Sequence, residues 1–97
     1  MRIKDGFLKR KIGAKYLVVT TGELSKELNM MIELNDTSSD IWDGVAEGLS
    51  ESEIAQRLVE KYSISLETAC KDVKNIIAKM TDAGVFEYKG HMSFLFL

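Results

Sequence analysis

Cys70 and His91 are the lone thiol and the lone imidazole in 97 residues, and the chemistry open to them is narrow. A single cysteine cannot form an internal disulfide. One cysteine with one histidine also falls short of the ligand set that a structural zinc requires. The other titratable side chains do not assemble a catalytic pattern. There is no G-x-S-x-G elbow, no glycine-rich nucleotide loop and no metal-ligand spacing, and His91 lies in the apolar stretch GHMSFLF. The acidic pairs Glu51/Glu53 and Glu67/Asp72 fall at helix starts and on solvated helix faces, where helix dipoles and water account for them. The sequence therefore reads as a non-enzyme with no cofactor, and its chemistry is expected to be recognition.

Two sets of residues point to recognition. The first is the run MMIELN, Met30 to Asn35, which has the character of a strand. Met30, Ile32 and Leu34 share one face, and Met31, Glu33 and Asn35 share the other. A strand covered on one side only should alternate apolar and polar strictly, and Met31 breaks that alternation. The second set is Cys70, Lys74, Ile77 and Thr81, which lie along one side of a helix and are half apolar, half polar. Such a stripe fits either a partly exposed groove wall or the margin of a broad core face with a snorkelling lysine. Cys70 within it reads as a small buried hydrophobe, because no basic cluster is present to lower its pKa.

These residues need a scaffold, and the chain has the composition for one. Hydrophobic residues make up 45% and charged residues 29%, which suits one globular domain that buries its own core. No run approaches the ~20 apolar residues of a membrane span, and MRIKDGFLKRKIG lacks the apolar centre of a signal peptide. A cytoplasmic protein without a membrane contact is expected. The net charge of −2 is uneven, with Arg2, Lys4, Lys9, Arg10, Lys11 and Lys15 set against Asp5 alone near the start. A basic strand of this kind can meet an acidic partner or nucleic-acid phosphate, or it can be a solvated edge guarded by lysines.

The element order follows from periodicity and punctuation. FLKRKI (Phe7 to Ile12) and KYLVVTT (Lys15 to Thr21) form a predicted hairpin, with Gly13 supplying a positive φ at its turn. GELSKEL (Gly22 to Leu28) reads as a loop, and Asn29 to Leu34 as the third strand. Asn35, Asp36 and Thr37 offer caps to a first helix that carries Ile41, Trp42, Val45 and Leu49 and ends at Gly48. Ser50 and Glu53 form a capping box for a second helix with Ile54, Ala55, Leu58, Val59 and Tyr62 inward. Ser65 caps a third helix running to about Asp82, with Ala69, Val73, Ile76 and Met80 as its core stripe and Gly84 as its stop. The prediction is a single α+β domain over 1–97: strands within about 7–34, three helices within 36–84 and an apolar tail over 85–97.

That order, carried by Leu34, Asn35, Thr37, Ile41 and Trp42, then Ile54, Leu58 and Tyr62, then Asp72 and Val73, then Ala83, Gly84 and Val85, resembles the PqqD family. This family comprises peptide chaperones of pyrroloquinoline quinone synthesis and the related RiPP recognition elements. The resemblance covers nearly the whole chain. Ser38, Ser39 and Asp40 stand where many relatives have Gly-Ala-Phe or similar, and the tail HMSFLFL is also a departure. What the resemblance implies is a winged-helix-like fold, a three-stranded antiparallel sheet followed by three helices. Such a domain binds the leader segment of a ribosomally made precursor peptide and presents it to a modifying enzyme such as a radical SAM enzyme. Members bind the leader by strand addition, so the implied site is Met30, Met31, Ile32, Glu33 and Leu34, with Cys70, Lys74, Ile77 and Thr81 walling the groove. Met31 would then face a partner or a covering helix.

Two rivals accompany this reading. The helix pair followed by AGVFEYKG also resembles a winged helix-turn-helix DNA binder. Against it, the third helix offers Lys71, Lys74 and Lys79 but no arginine, alongside Glu67, Asp72 and Asp82, and the chain is acidic. The other rival is a dimerisation module, for which the tail Met92 to Leu97 is the main argument, because an uncovered apolar terminus invites a homodimer, a fold-back wing or occupation of the leader groove.

Overall fold

In the structure, a computed structural model that describes residues 1–28 and 30–87, two small sheets pack with helices around one core. β2 (Phe7–Ile12) and β3 (Lys15–Thr20) form the expected hairpin, and Gly13 turns it at φ +63°. β4 (Met31–Leu34) pairs antiparallel with β3, so the sheet order is β2-β3-β4 and, among the described residues, β4 keeps one open edge. Of the predicted tail over 85–97, residues 88–97 lie outside the described residues, as does Asn29.

Three features were not expected. β1 (Arg2–Ile3) pairs with β5 (Phe86–Glu87) in a second, two-stranded sheet, which closes the two ends of the described chain onto each other. The stretch predicted as a loop contains α1 (Leu24–Glu27), a single turn whose N-cap Glu23 makes no side-chain capping bond. Phe86, which the sequence places in the apolar tail over 85–97, is fully buried and meets the Trp42 ring at a centroid distance of 5.7 Å.

The main helices start where their caps predict. α2 (Asp36–Ala46) begins at Asn35, whose side chain accepts from the Ser38 N–H, and α3 (Glu51–Tyr62) begins at the Ser50/Glu53 capping box. The Ser50 N–H holds the Glu53 carboxyl below the usual carboxylate range. α4 (Leu66–Asp82) begins at Ser65. Its buried stripe is Ala69, Val73, Ile77 and Met80, so the expected Ile76 gives its place in the core to Ile77. Both positions satisfy a 3.6-residue period from Val73, and only the packing partner decides between them.

The sheet is two-sided. Val18 and Leu34 point inward and are buried, while Met31 and Glu33 point outward and are exposed. Met31 breaks the polar alternation because it continues an apolar outer row that contains its cross-strand neighbour Val19.

The hydroxyl and carboxylate that depart from the family pattern in α2 are satisfied by two polar clusters. Lys9, inward on β2, donates to Ser39 Oγ at 2.7 Å and to Asp43 Oδ1 at 2.6 Å. Asp40 accepts from Tyr62 Oη at 2.5 Å and from Lys61 Nζ. Burial, reinforced by that carboxylate, raises the Tyr62 hydroxyl above its ordinary pKa. Part of the basic N-terminal cluster is thus structural. Lys9→Ala is expected to cost about 1–2 kcal/mol, because Ser39 is buried while Asp43 is half exposed and can turn to water. A urea midpoint equal to the parent's would show that Lys9 does not pin β2 to α2.

Candidate functional site

β4 can be extended because, among the described residues, its outer edge is unpaired, and α4 runs alongside it. A strand edge presents a row of free N–H and C=O groups, which is a template for another strand unless something covers it. Between β4 and α4 lies a cleft of about 420 Å³, lined by Ile32, Glu33, Leu34 and Asn35 on one side and by Ile76, Lys79 and Met80 on the other, with Ser38 of α2 beside them. An adjoining hollow of about 150 Å³ continues past Asn35, Thr37 and Ser38 to Asp72, Asn75 and Lys79. The wall is therefore apolar at Ile32, Leu34, Ile76 and Met80, with Lys79 as the cation shared by both hollows.

This geometry suits a peptide in extended conformation. Alternate side chains of an added strand would point toward the cleft, where thioether and branched aliphatic groups adapt to different shapes, while its backbone pairs with the edge. Among the described residues no group of three or more His, Cys, Asp or Glu side chains is placed to hold a metal ion. No helix among them is long and apolar enough to cross a membrane.

The structure divides the residues singled out from the sequence. Ile32, Glu33 and Leu34 line the cleft, Met30 is half-buried just before β4, and Met31 points to the outer face of the sheet. Cys70, Lys74, Ile77 and Thr81 do stand on one side of α4, but on a different side from the cleft. They line two depressions shared with Glu51 at the start of α3, and neither depression contains a β4 residue. Ile77 is 4% exposed and belongs to the core, Cys70 packs beside it, and Thr81 Oγ1 is buried with no hydrogen-bond partner among the described residues. The wall facing β4 is instead Ile76, Lys79 and Met80. The sequence places Ile76 and Met80 in the core stripe and singles out Lys79 only as one of the lysines of the third helix, so this wall is not legible from it. A rotation of one residue about the α4 axis, about 100°, exchanges the two stripes.

With this geometry in place, comparisons with known proteins agree with one another. No curated protein sequence is a significant match to the chain. Two solved structures share its fold. One is described as TbiB1 in complex with the TbiA(beta) leader peptide, with a TM-score of 0.76 and 20% identity, covering 94% of this chain and 100% of that one. The other is a lasso peptide synthetase B1 complexed with the leader peptide, with a TM-score of 0.73 and 19% identity, covering 87% of this chain and 93% of that one. The family model of coenzyme PQQ synthesis protein D matches residues 22–85, which takes in β4 and all of α2, α3 and α4. The chain belongs to the PqqD family.

Proposed function

We propose that the chain binds the leader segment of a ribosomally synthesised precursor peptide by strand addition along β4 and presents it to a peptide-modifying enzyme, for instance a radical SAM enzyme. The observation that carries this reading is the β4 edge, unpaired among the described residues and set beside the cleft walled by Ile76, Lys79 and Met80. The two proteins that share the fold are both described as leader-peptide complexes, which supports the same occupant here. The leader backbone would pair with Met31 to Leu34, and its inward side chains would fill the hollow between Ile32, Leu34, Ile76 and Met80. In this role residues 1–97 act as one non-catalytic recognition domain in the cytoplasm, where precursor peptides are made, and the bond-making chemistry belongs to the partner.

The DNA-binding alternative loses support from the placement of its own cations. Lys79 faces the β4 cleft, whereas Lys74 lies in a depression shared with Glu51 and Asp82. A recognition helix needs its cations on one face and in electropositive surroundings, and α4 offers neither.

The experiment is a titration of a precursor leader peptide that binds the parent against three versions of the chain. Ile76→Asp puts a carboxylate on the cleft wall and is expected to weaken binding by about tenfold or more. Lys74→Glu, outside the cleft, is expected to leave affinity unchanged. The reverse pattern, with Lys74→Glu weakening the complex and Ile76→Asp leaving it intact, would move the site to the Cys70, Lys74, Ile77 and Thr81 flank of α4.

A further inference from the structure

The outer face of the β2-β3-β4 sheet is an apolar surface that the peptide cleft touches only at Glu33 on its rim. Strand register sets its side chains in rows: Leu8 stands opposite Val19 and Val19 opposite Met31, while in the next row Arg10 stands opposite Leu17 and Leu17 opposite Glu33. Leu8, Ile12 and Met31 are 43%, 57% and 68% exposed. Three large apolar side chains left in water on one sheet face are unusual unless something covers them. The charges are placed asymmetrically, with Arg10 at one end of its row and Glu33 at the other. Arg10 has no ion pair among the described residues, and Glu33 meets only Lys15, at 3.7 Å with both side chains largely in solvent.

We propose that this face docks against the same face of a second copy of the chain, about a two-fold axis running along β3. Such an axis lays β2 of one copy over β4 of the other. Leu17 and Val19 then each meet their own counterparts, Leu8 meets the partner's Met31, and Arg10 meets the partner's Glu33, twice over by symmetry. Packed sheets stand roughly 10 Å apart, a gap that an arginine and a glutamate reaching from opposite sides can bridge. The rows Leu8–Val19–Met31 and Arg10–Leu17–Glu33 favour a second copy over an unrelated protein, because these two rows are complementary to themselves in hydrophobicity and charge, whereas in the end row, where Ile12 stands opposite Lys15, the axis sets Lys15 near its own counterpart in solvent and weakens the contact. A three-stranded face is smaller than the roughly 800 Å² per partner of a standard interface, so the dimer is weak and reversible. The proposal does not rest on peptide binding, since the open edge of β4 stays in the plane of the sheet and is not consumed by the contact.

Sedimentation velocity of the full chain from about 10 µM to about 1 mM tests this, a range that spans weak association. The parent's sedimentation coefficient is expected to climb toward that of a dimer. Arg10→Glu and Glu33→Arg should each weaken association by at least about tenfold, because like charges then face each other across the axis. An equimolar mixture of the two variants should restore association, since an all-acidic row meets an all-basic one, and the doubly reversed chain carrying both changes should dimerise on its own. A parent that remains monomeric at the top concentration overturns the proposal. So does a dimer indifferent to both reversals, which would place the contact elsewhere on the chain, or a failure of both the mixture and the doubly reversed chain to associate.

Discussion

Trp42→Ala is expected to leave much of the chain unfolded at room temperature. Trp42 is only 6% exposed and projects from α2 into the core, where its ring meets Phe86 of β5 at 5.7 Å with a 47° tilt. It therefore joins the strand-to-helix segment to the pairing that closes the chain ends. Truncating a buried indole removes its transfer free energy and leaves a cavity, together about 3–5 kcal/mol. Domains have about 5–15 kcal/mol of stability in total, and a chain of this length stands toward the lower end of that range, so the loss is comparable with the whole. Far-UV circular dichroism with a denaturant titration measures it. A Trp42→Ala chain with the parent's midpoint, altered only in peptide affinity, would make Trp42 part of the binding surface instead of a core anchor.

Gly44→Val should be nearly as damaging, through crowding instead of a void. Gly44 is buried at the crossing of α2 and α3, and a β-carbon built there would come within 2.6 Å of Ile54 Cγ1 and 3.1 Å of its Cδ1. Ile54 is 1% exposed and has no room to withdraw, so the two helices must move apart. Replacing a helical glycine normally gains up to about 1 kcal/mol of helix propensity, but overpacking of a tight core costs about 1–3 kcal/mol and sometimes more. The steric term wins, and with two further methyl groups a net loss of about 3 kcal/mol is expected. Gly44→Ala should be milder, since the propensity gain offsets part of a single-carbon clash. A rise in thermal midpoint for Gly44→Val would mean that α2 and α3 do not approach as closely as the structure has them.

What could be read from the sequence was what is decided locally. The β2-β3 hairpin, the positive φ at Gly13, the Ser50/Glu53 capping box and the Asn35 and Ser65 caps each depend on residues a few positions apart. The β1-β5 sheet depends on residues from opposite ends of the described chain, in strands two residues long, and no periodicity can announce a pairing of that kind. At α4 the limit was rotational. Ile76 and Ile77 are adjacent branched aliphatics on a helix with an apolar stripe wide enough for either, and the choice between them also decides which lysine faces β4. Met31 was recognised as anomalous, but the cause lies on another strand: its apolar neighbour is Val19, fixed by register. The Ser39 and Asp40 departures from the family pattern are likewise settled by distant partners, with Lys9 reaching Ser39, and Tyr62 and Lys61 reaching Asp40.

Hydrogen exchange on the backbone of β4, with and without a precursor leader peptide that binds the chain, tests the central claim most directly. Inward hydrogen bonds to β3 already protect part of the strand, so the informative amides are those of Met31 to Leu34 that face the open edge. Strand addition supplies each of them with a new acceptor, and their exchange should slow by about tenfold or more at saturating peptide, while the β2-β3 hairpin changes little. Saturating leader that leaves the β4 edge amides exchanging at their free rate would contradict strand addition at this edge.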